Sequence, residues 1–324
     1  MSQPEKWTIR ELLSWTVDYF KKKGVESPRL EAETLLSAAT GMSRIDLLVS
    51  YDEEPTDTSR AAFRDYVRRR ASGEPNAYII GKKEFYSLEF EVDRNVLIPR
   101  PDTEQLVMET IEYFKSRGWT TGADATRLRF GEDGAPLDAE PFSAPAGPTL
   151  RICDLGAGSG CVSAALAKNI PSSRVVGLDV SASALEVARR NIDRLGLSDR
   201  VTLLESDLFG AIPEDLPEEE RFDAIVSNPP YVSDPEYSDL EATVRDFEPR
   251  VALLGGPTGA ELPIELVRQA SPRLKRGGRL ALELSPSTVD AVSSALEGAG
   301  LWRDIEIRRD LSKLRRFVVA ILRD

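Results

Sequence analysis

Apolar residues recur at helical spacing through the first seventy positions: Ile9, Leu12, Leu13, Val17 and Phe20, then Leu30, Leu35 and Leu36. Positions three and four apart share one helix face, so this spacing predicts an amphipathic helix and then a second one opening at Ser27-Pro28, a cap followed by a first-turn proline. A third helix is predicted from Ser43 to Val49, and a fourth from Thr58 through Phe63, Tyr66 and Val67 to Gly73. Together they predict a small helical bundle over residues 1–74. Residues 75–100 change period. Ala77-Tyr78-Ile79-Ile80-Gly81 and Phe85 to Val92 are short, β-branched and aromatic with turn residues between, which predicts a β-hairpin linking two domains. In Leu97-Ile98-Pro99-Arg100-Pro101-Asp102-Thr103-Glu104 two prolines hold the backbone extended, and Asp102 or Thr103 can cap a helix from Glu104 to Ser116. Residues 117–148 hold five glycines and four prolines without periodicity and predict a loop or disordered insertion.

From Leu150 the pattern alternates. Strands fit Leu150–Leu155, Arg174–Asp179, Val201–Glu205, Phe222–Ser227, Arg279–Leu284, Ile305–Arg308 and Phe317–Leu322, with helices at 160–170, 181–196, 260–275 and 287–299. Alternating strands and helices predict an α/β domain over 101–324 with a parallel sheet covered on both faces. Ligands in such folds bind beyond the carboxyl ends of the strands, at the point where the strand order reverses.

Three of those strand ends carry candidate chemistry. Asp154-Leu155 is followed by Gly156-Ala157-Gly158-Ser159-Gly160, a turn that exposes backbone N–H groups at a helix start. A dinucleotide fingerprint would place glycine or alanine at position 161, where Cys161 stands, so a different adenosyl ligand is favoured over NAD. Asp179 ends the second strand, where a carboxylate can accept two ribose hydroxyls. Ser206-Asp207-Leu208-Phe209 ends the third and sets Asp207 where an adenine amino group would lie. Each acid taken singly is equally a turn or cap residue; it is their shared sheet edge that points to a ligand. A glycine turn with acids closing the next two strands resembles the S-adenosyl-L-methionine site of class I methyltransferases, a Rossmann-like seven-stranded fold.

Asn228-Pro229-Pro230-Tyr231 closes the fourth strand. Alone it reads as a rigid proline turn. Beside a methyl donor it suits the methylation of a planar amino or amide nitrogen. An amide nitrogen is a poor nucleophile because its lone pair is delocalised into the carbonyl. The Asn228 side-chain oxygen and the Pro229 carbonyl can each accept one N–H and push electron density onto nitrogen, while Tyr231 stacks on the flat group. Positioning then supplies most of the rate.

Composition narrows the possibilities further. The 324 residues contain no histidine and two cysteines, Cys153 and Cys161, which excludes a Ser-His-Asp hydrolase, a His-ligated zinc site, a four-cysteine metal site and a disulfide framework; no metal is expected. Both thiols read as core residues beside the glycine turn. No apolar run reaches the roughly 18–20 residues of a membrane span, and the start lacks a signal-peptide pattern, so a cytoplasmic, monomeric protein is expected. The net charge is −12, with 16 basic against 17 acidic residues in positions 1–100 and 26 against 37 in the remainder. An acidic catalytic half disfavours direct nucleic-acid binding.

Several segments together resemble the protein-(glutamine-N5) methyltransferase family that modifies peptide chain release factors. They are Ser27-Pro28-Arg29-Leu30-Glu31-Ala32-Glu33, Tyr78-Ile79-Ile80-Gly81 with Glu84-Phe85, Leu97 to Glu104, the glycine turn, Asn228 to Tyr231, and Glu248-Pro249-Arg250-Val251-Ala252-Leu253 before Gly255-Gly256. The resemblance implies S-adenosyl-L-methionine as methyl donor and the glutamine of a Gly-Gly-Gln motif in class 1 release factors as acceptor, with the helical domain helping to seat that protein. Carried over by position, Gly156, Ala157, Gly158, Ser159, Gly160, Asp179, Asp207, Leu208 and Asn228 would contact the cofactor. Asn228, Pro229, Pro230 and Tyr231 would grip the glutamine, and Arg100 and Glu104 would shape the pocket wall. Leu208 stands where relatives often carry an aromatic residue, and Leu282-Glu283-Leu284-Ser285-Pro286 departs from the usual pattern after its strand. Two alternatives remain at this level. One is an N-methyltransferase acting on an exocyclic amine of adenine or guanine in nucleic acid, for which Arg68-Arg69-Arg70 is the best basic cluster. The other is an adenosyl-binding regulator, which would be expected to have a damaged Asn-Pro-Pro-Tyr segment.

Overall fold

The computed structural model describes residues 7–119 and 149–324. It divides into two compact units, residues up to 82 together with 241–247, and residues 83–240 together with 248–324. Most of the insertion expected over 117–148 lies outside the described residues.

In the first unit the helices are α1 (Ile9–Lys22), α2 (Pro28–Thr40), α3 (Arg44–Val49), α4 (Asp57–Ala71) and α5 (Asn76–Ile80). Phe20, Leu35, Leu36, Leu47 and Phe63 form their core. The first polar segment of the family resemblance acts as a set of struts here. Glu33 is almost buried and accepts from Arg29 Nε at 2.8 Å and Arg44 Nη2 at 2.6 Å, while Glu31 accepts from Arg70 Nε at 2.6 Å and ties α2 to α4. Burial opposes charge on Glu33, but the two arginine hydrogen bonds outweigh it and hold its carboxyl below the ordinary range. The predicted strand at 77–81 is instead the helix α5. Pro75 takes its N-cap, Gly81 at φ +78° closes it in the left-handed region, and Tyr78 and Ile79 are buried, Ile79 in the helical core; tertiary burial overrides a β-like composition.

The hairpin is therefore displaced to β1 (Lys82–Phe85) and β2 (Leu88–Glu91), joined by Tyr86 and Ser87 at φ +50° and +57°. Phe85 and Phe90 enter the core of the second unit. Helix α6 runs Pro101–Lys115 and starts earlier than expected: Arg100 is its N-cap without a side-chain cap, Pro101 fills its first position, and Asp102 and Thr103 lie inside its first turn.

The remaining elements are β3 (Leu150–Leu155), α7 (Cys161–Asn169), β4 (Ser173–Asp179), α8 (Ala182–Arg194), β5 (Val201–Glu205), β6 (Phe222–Ser227), β7 (Val232–Ser233), α9 (Asp234–Asp239), α10 (Ala242–Arg245), β8 (Leu254–Gly256), α11 (Glu261–Ala270), β9 (Leu274–Glu283), α12 (Val289–Ala299), β10 (Trp302–Arg309) and β11 (Arg315–Leu322). Of these, α10 belongs to the first unit. Seven strands form one sheet in the order β10-β11-β9-β6-β3-β4-β5. Alternate residues serve opposite faces: Ile152, Ala224 and Val226 join α6 and α7 in one core, whereas Cys153, Leu155 and Ile225 join α11 and α12 in the other. The sheet is not wholly parallel. Strand β11 runs antiparallel to both β9 and β10, because the link from β10 to β11 is too short for the crossover that parallel strands require. The order reverses between β3 and β6, the position that places a ligand site at their carboxyl ends.

Leu36→Ala, at a fully buried position of α2, should destabilise the helical unit by about 2–5 kcal/mol, while Val49→Ala at an exposed position should stay within about 0.5 kcal/mol; urea denaturation followed by circular dichroism distinguishes them.

Candidate active site

Leu155 and Ser227 are register partners at the ends of β3 and β6, and Ser227 Oγ donates to the Leu155 carbonyl at 2.6 Å. The glycine turn and the Asn-Pro-Pro-Tyr segment therefore start side by side. Gly156, Gly158 and Gly160 adopt φ of +79°, +53° and +78°, where a side chain would be strained. Gly156 N and Ala157 N donate to the Leu178 carbonyl, and Gly158 N donates to Asp179 Oδ2 at 2.8 Å, so the turn is locked to the end of β4. Asp179 Oδ1 accepts from Ser181 N at 2.9 Å. Burial raises the Asp179 carboxyl above its ordinary range even against the lowering hydrogen bonds from Ser181, Gly158 and Val180. A buried amide, Asn191, ties this turn to the hairpin: its Nδ2 donates to the Ser159 and Glu91 carbonyls, and its Oδ1 accepts from Glu91 N.

Between these strand ends lies a cavity of about 370 Å³. Gly156, Gly158, Asp179, Asp207, Leu208, Asn228 and Pro230 border it, so residues from four strand ends meet in one place. Ala157, Ser159 and Gly160 are packed behind the turn, and Pro229 and Tyr231 do not border the cavity. Arg100 and Glu104 do not reach it either. Arg100 pairs with buried Glu248, which also accepts from Ile98 N at 3.1 Å, and Glu104 accepts from Tyr86 N at 2.8 Å, bracing the hairpin turn. In the structure both side chains brace neighbouring segments. Sequence reasoning missed the wall formed by Asn95, Val96 and Leu97 and the one formed by Val251, Ala252 and Leu254. Both come from short segments whose spacing carries no periodic signal, although parts of both fall within stretches that carried the family resemblance.

The donor set fits an adenosyl ligand bearing an amino-acid tail. Glycine backbone with no side chain lines one end, Asp179 and Asp207 offer carboxylates to hydroxyl and amino groups, and Val180 and Leu208 present apolar surface for a flat base. Leu208 holds φ +47°, an uncommon conformation for leucine, braced by Ser206 Oγ, which donates to its carbonyl at 2.8 Å. At the other end Asn228 Nδ2 donates to Thr103 Oγ1 at 3.0 Å, which leaves the side-chain oxygen of Asn228 available as an acceptor. Burial first, and then the neighbouring Glu283, push the Tyr231 phenol up to about 12, so Tyr231 is a neutral surface and not a base. The tetrapeptide is also backed by glycines. A Cβ on Gly255 would stand 2.6 Å from the Pro230 carbonyl and 2.8 Å from Tyr231 Cα, and one on Gly259 would collide with the Tyr231 carbonyl. Cys153 and Cys161 are buried free thiols, and burial raises both above the ordinary thiol range, leaving them inert. Among the described residues there is no metal-holding cluster of carboxylates and cysteines, and no helix long and apolar enough to cross a membrane.

A seven-stranded α/β sheet with a glycine turn, strand-end carboxylates and an Asn-Pro-Pro-Tyr segment on one edge defines a class I methyltransferase. Residues 11–81 match the PrmC N-terminal domain and residues 138–246 match the methyltransferase small domain. The chain is 43% identical to the release factor glutamine methyltransferase of Rhodopirellula baltica, over 98% of this chain and 97% of that protein. It is 39% identical to that of Geobacter sulfurreducens, over 92% and 91%, and 36% identical to that of Chlorobaculum tepidum, over 98% of each. The chain belongs to the release factor glutamine methyltransferase family.

Two glycine substitutions should have opposite signs. Gly255→Ala, driven into the tetrapeptide backbone, should destabilise the second unit by about 1–3 kcal/mol. Gly298→Ala, in α12 with nothing within 4 Å of its Cβ, should stabilise by about 0.5–1 kcal/mol, as thermal denaturation will read.

Proposed function

We propose that this enzyme transfers a methyl group from S-adenosyl-L-methionine to the side-chain amide nitrogen of the glutamine in the Gly-Gly-Gln motif of class 1 peptide chain release factors. The observation that carries this function is the meeting of Asn228 with the glycine turn at one cavity, where an amide-gripping acceptor lies beside a nucleoside-type site. S-adenosyl-L-methionine supplies an electrophilic methyl carried on a sulfonium. The protein's residues do the rest by position. Gly156 and Gly158 give a backbone floor, with Asp179 and Asp207 holding polar edges of the donor. Asn228 Oδ1 and the Pro229 carbonyl each take one N–H of the acceptor amide, which orients the NH₂ group and pushes electron density onto its nitrogen. With the donor bound, methyl transfer would break the donor's C–S bond as the C–N bond forms, and the nitrogen, made acidic by its new charge, would release its proton to solvent. No side chain that titrates near neutrality has to attack, in keeping with a chain that has no histidine.

The helical domain of residues 1–74 is assigned to seating the release factor, which leaves the cavity to read the glutamine alone. The assignment carries with it a cytoplasmic, monomeric enzyme that meets a protein substrate and neither nucleic acid nor membrane. Methylation of an exocyclic amine in nucleic acid is the competing activity, since the same tetrapeptide suits it, and the acidic balance of residues 101–324 weighs against it.

Labelled S-adenosyl-L-methionine should mark a release factor, leave its Gly-Gly-Gln to Gly-Gly-Ala variant unmarked, and leave total RNA unmarked; label in RNA alone would overturn the assignment. Asn228→Ala should keep donor binding while transfer falls by roughly a hundredfold or more, measured as kcat beside a calorimetric Kd.

A further inference from the structure

The helical unit carries a cleft of about 810 Å³, more than twice the volume of the cavity at the strand ends. Helices α1 and α4 each pack on α2, and side chains of both line the cleft. Its floor is apolar, with Leu12 of α1 beside Phe63 and Val67 of α4. One wall is aromatic. Trp15 stacks on Tyr19 with ring centroids 5.1 Å apart, and Trp7 meets Trp15 edge-on at 6.5 Å. Trp15 is still 46% exposed, a large apolar surface that the helices of this unit leave uncovered.

The other wall is cationic. Arg60, Arg64 and Arg68 recur every four residues along α4 and so share one face of it. Arg60 pairs with Glu54 and Asp57, and Arg68 pairs with Asp65, whereas Arg64 has no ion pair among the described residues. Asp57 is the one carboxylate in the lining, which is therefore net positive on a chain whose net charge is −12. Lys23, with Nζ 5.8 Å from the Tyr19 ring centroid, adds a further cation beside the aromatic wall. At the floor, Thr16 is 1% exposed and its hydroxyl has no hydrogen-bond partner. A buried hydroxyl without a partner is destabilising, so one retained in the lining of an open cleft points to a polar atom supplied by another molecule.

We propose that this cleft seats an amphipathic helix of the protein substrate, its apolar side chains on Trp15, Phe63 and Val67 and its carboxylates toward Arg64. The inference rests on the release-factor function given above and names the surface and the chemistry of the segment it takes. A helix about 10–12 Å across with its side chains suits a gap between two helices that stand on a third. Carboxylates four residues apart on that helix match the four-residue repeat of the arginines. Nucleic acid is also anionic, but its bases stack on free aromatic faces, and here Trp15 and Tyr19 are stacked on each other.

The test titrates the full-length enzyme with a release factor by calorimetry and measures transfer to that protein and to a short peptide carrying Gly-Gly-Gln. Trp15→Ala and Arg64→Glu, both at exposed positions, should each weaken release-factor binding by roughly ten- to a hundredfold and raise its KM in step, with kcat at saturation unchanged. Arg64→Lys should recover most of the Arg64→Glu loss. Thr16→Val should weaken binding severalfold without lowering the thermal stability of the free enzyme, a split that a purely structural hydroxyl would not give. Transfer to the short peptide should be the same in all of these variants, and Val49→Ala, exposed and outside the cleft, should match wild type. Hydrogen exchange on the release factor should show protection of an acidic helix. An unchanged Kd in Trp15→Ala and Arg64→Glu, an equal loss on the short peptide, protection confined to a basic or extended segment, displacement by a single-stranded oligonucleotide, or an enzyme dimer that Trp15→Ala dissociates would each overturn the docking. Should Trp15→Ala fail to fold, Arg64→Glu reads the same surface. A wild type that binds the release factor through the cleft without methylating it would count against the function and leave the docking standing; methylation with binding indifferent to both substitutions would do the reverse.

Discussion

The register of β3 against β6 is the constraint on which the site depends. Leu155 and Ser227 end these strands opposite one another, and the Ser227 hydroxyl bonded to the Leu155 carbonyl fastens the pair at 2.6 Å. Leu155 leads into a glycine turn suited to a nucleoside-type ligand, and Ser227 leads into a tetrapeptide suited to a planar nitrogen. A slip of one residue would exchange every side chain between the two faces and part the two functions. The closeness is such that a Cβ on Gly156 would stand 3.7 Å from the Asn228 carbonyl. Binding and chemistry are thus adjacent because two parallel strands end together.

Around that pair the structure works mainly by removing freedom. Asn191 holds the hairpin to the glycine turn with three hydrogen bonds, Glu248 holds the segment before α6, and Gly255 and Gly259 let backbone press directly on Pro230 and Tyr231. Half of these contacts join positions a hundred or more residues apart. A reaction whose rate comes from orientation needs such bracing more than it needs a strong acid or base. The absence of histidine is consistent with that division of labour.

Much of the architecture was legible in the chain because local pattern and tertiary demand agreed. Leu150–Leu155, Val201–Glu205 and Phe222–Ser227 are strands at the expected residues, since buried β-branched and aliphatic runs bounded by turn residues have few other ways to satisfy their backbones. Agreement failed where burial outvoted composition. Tyr78-Ile79-Ile80 looks like a strand and is a helix, because a helical turn is what carries Ile79 into the α-helical core between Pro75 and Gly81. Likewise β11 breaks the parallel pattern because of the length of one link, a quantity that hydrophobic alternation does not encode.

By itself the sequence determined the kinds of chemistry available: a glycine turn, acids closing two strands, an Asn-Pro-Pro-Tyr segment, and no side chain of histidine type. Those are properties of residue identity at short spacing, and they survive without coordinates. Only the tertiary structure decided partnership. Arg100 and Glu104 sit in the most distinctive segment of the chain, yet they brace Glu248 and Tyr86, while Thr103 between them meets Asn228, 125 positions later. A hydroxyl and an amide carry no mark in sequence of which will face which. Their pairing is set by the tertiary fold, which brings the first turn of α6 beside the end of β6.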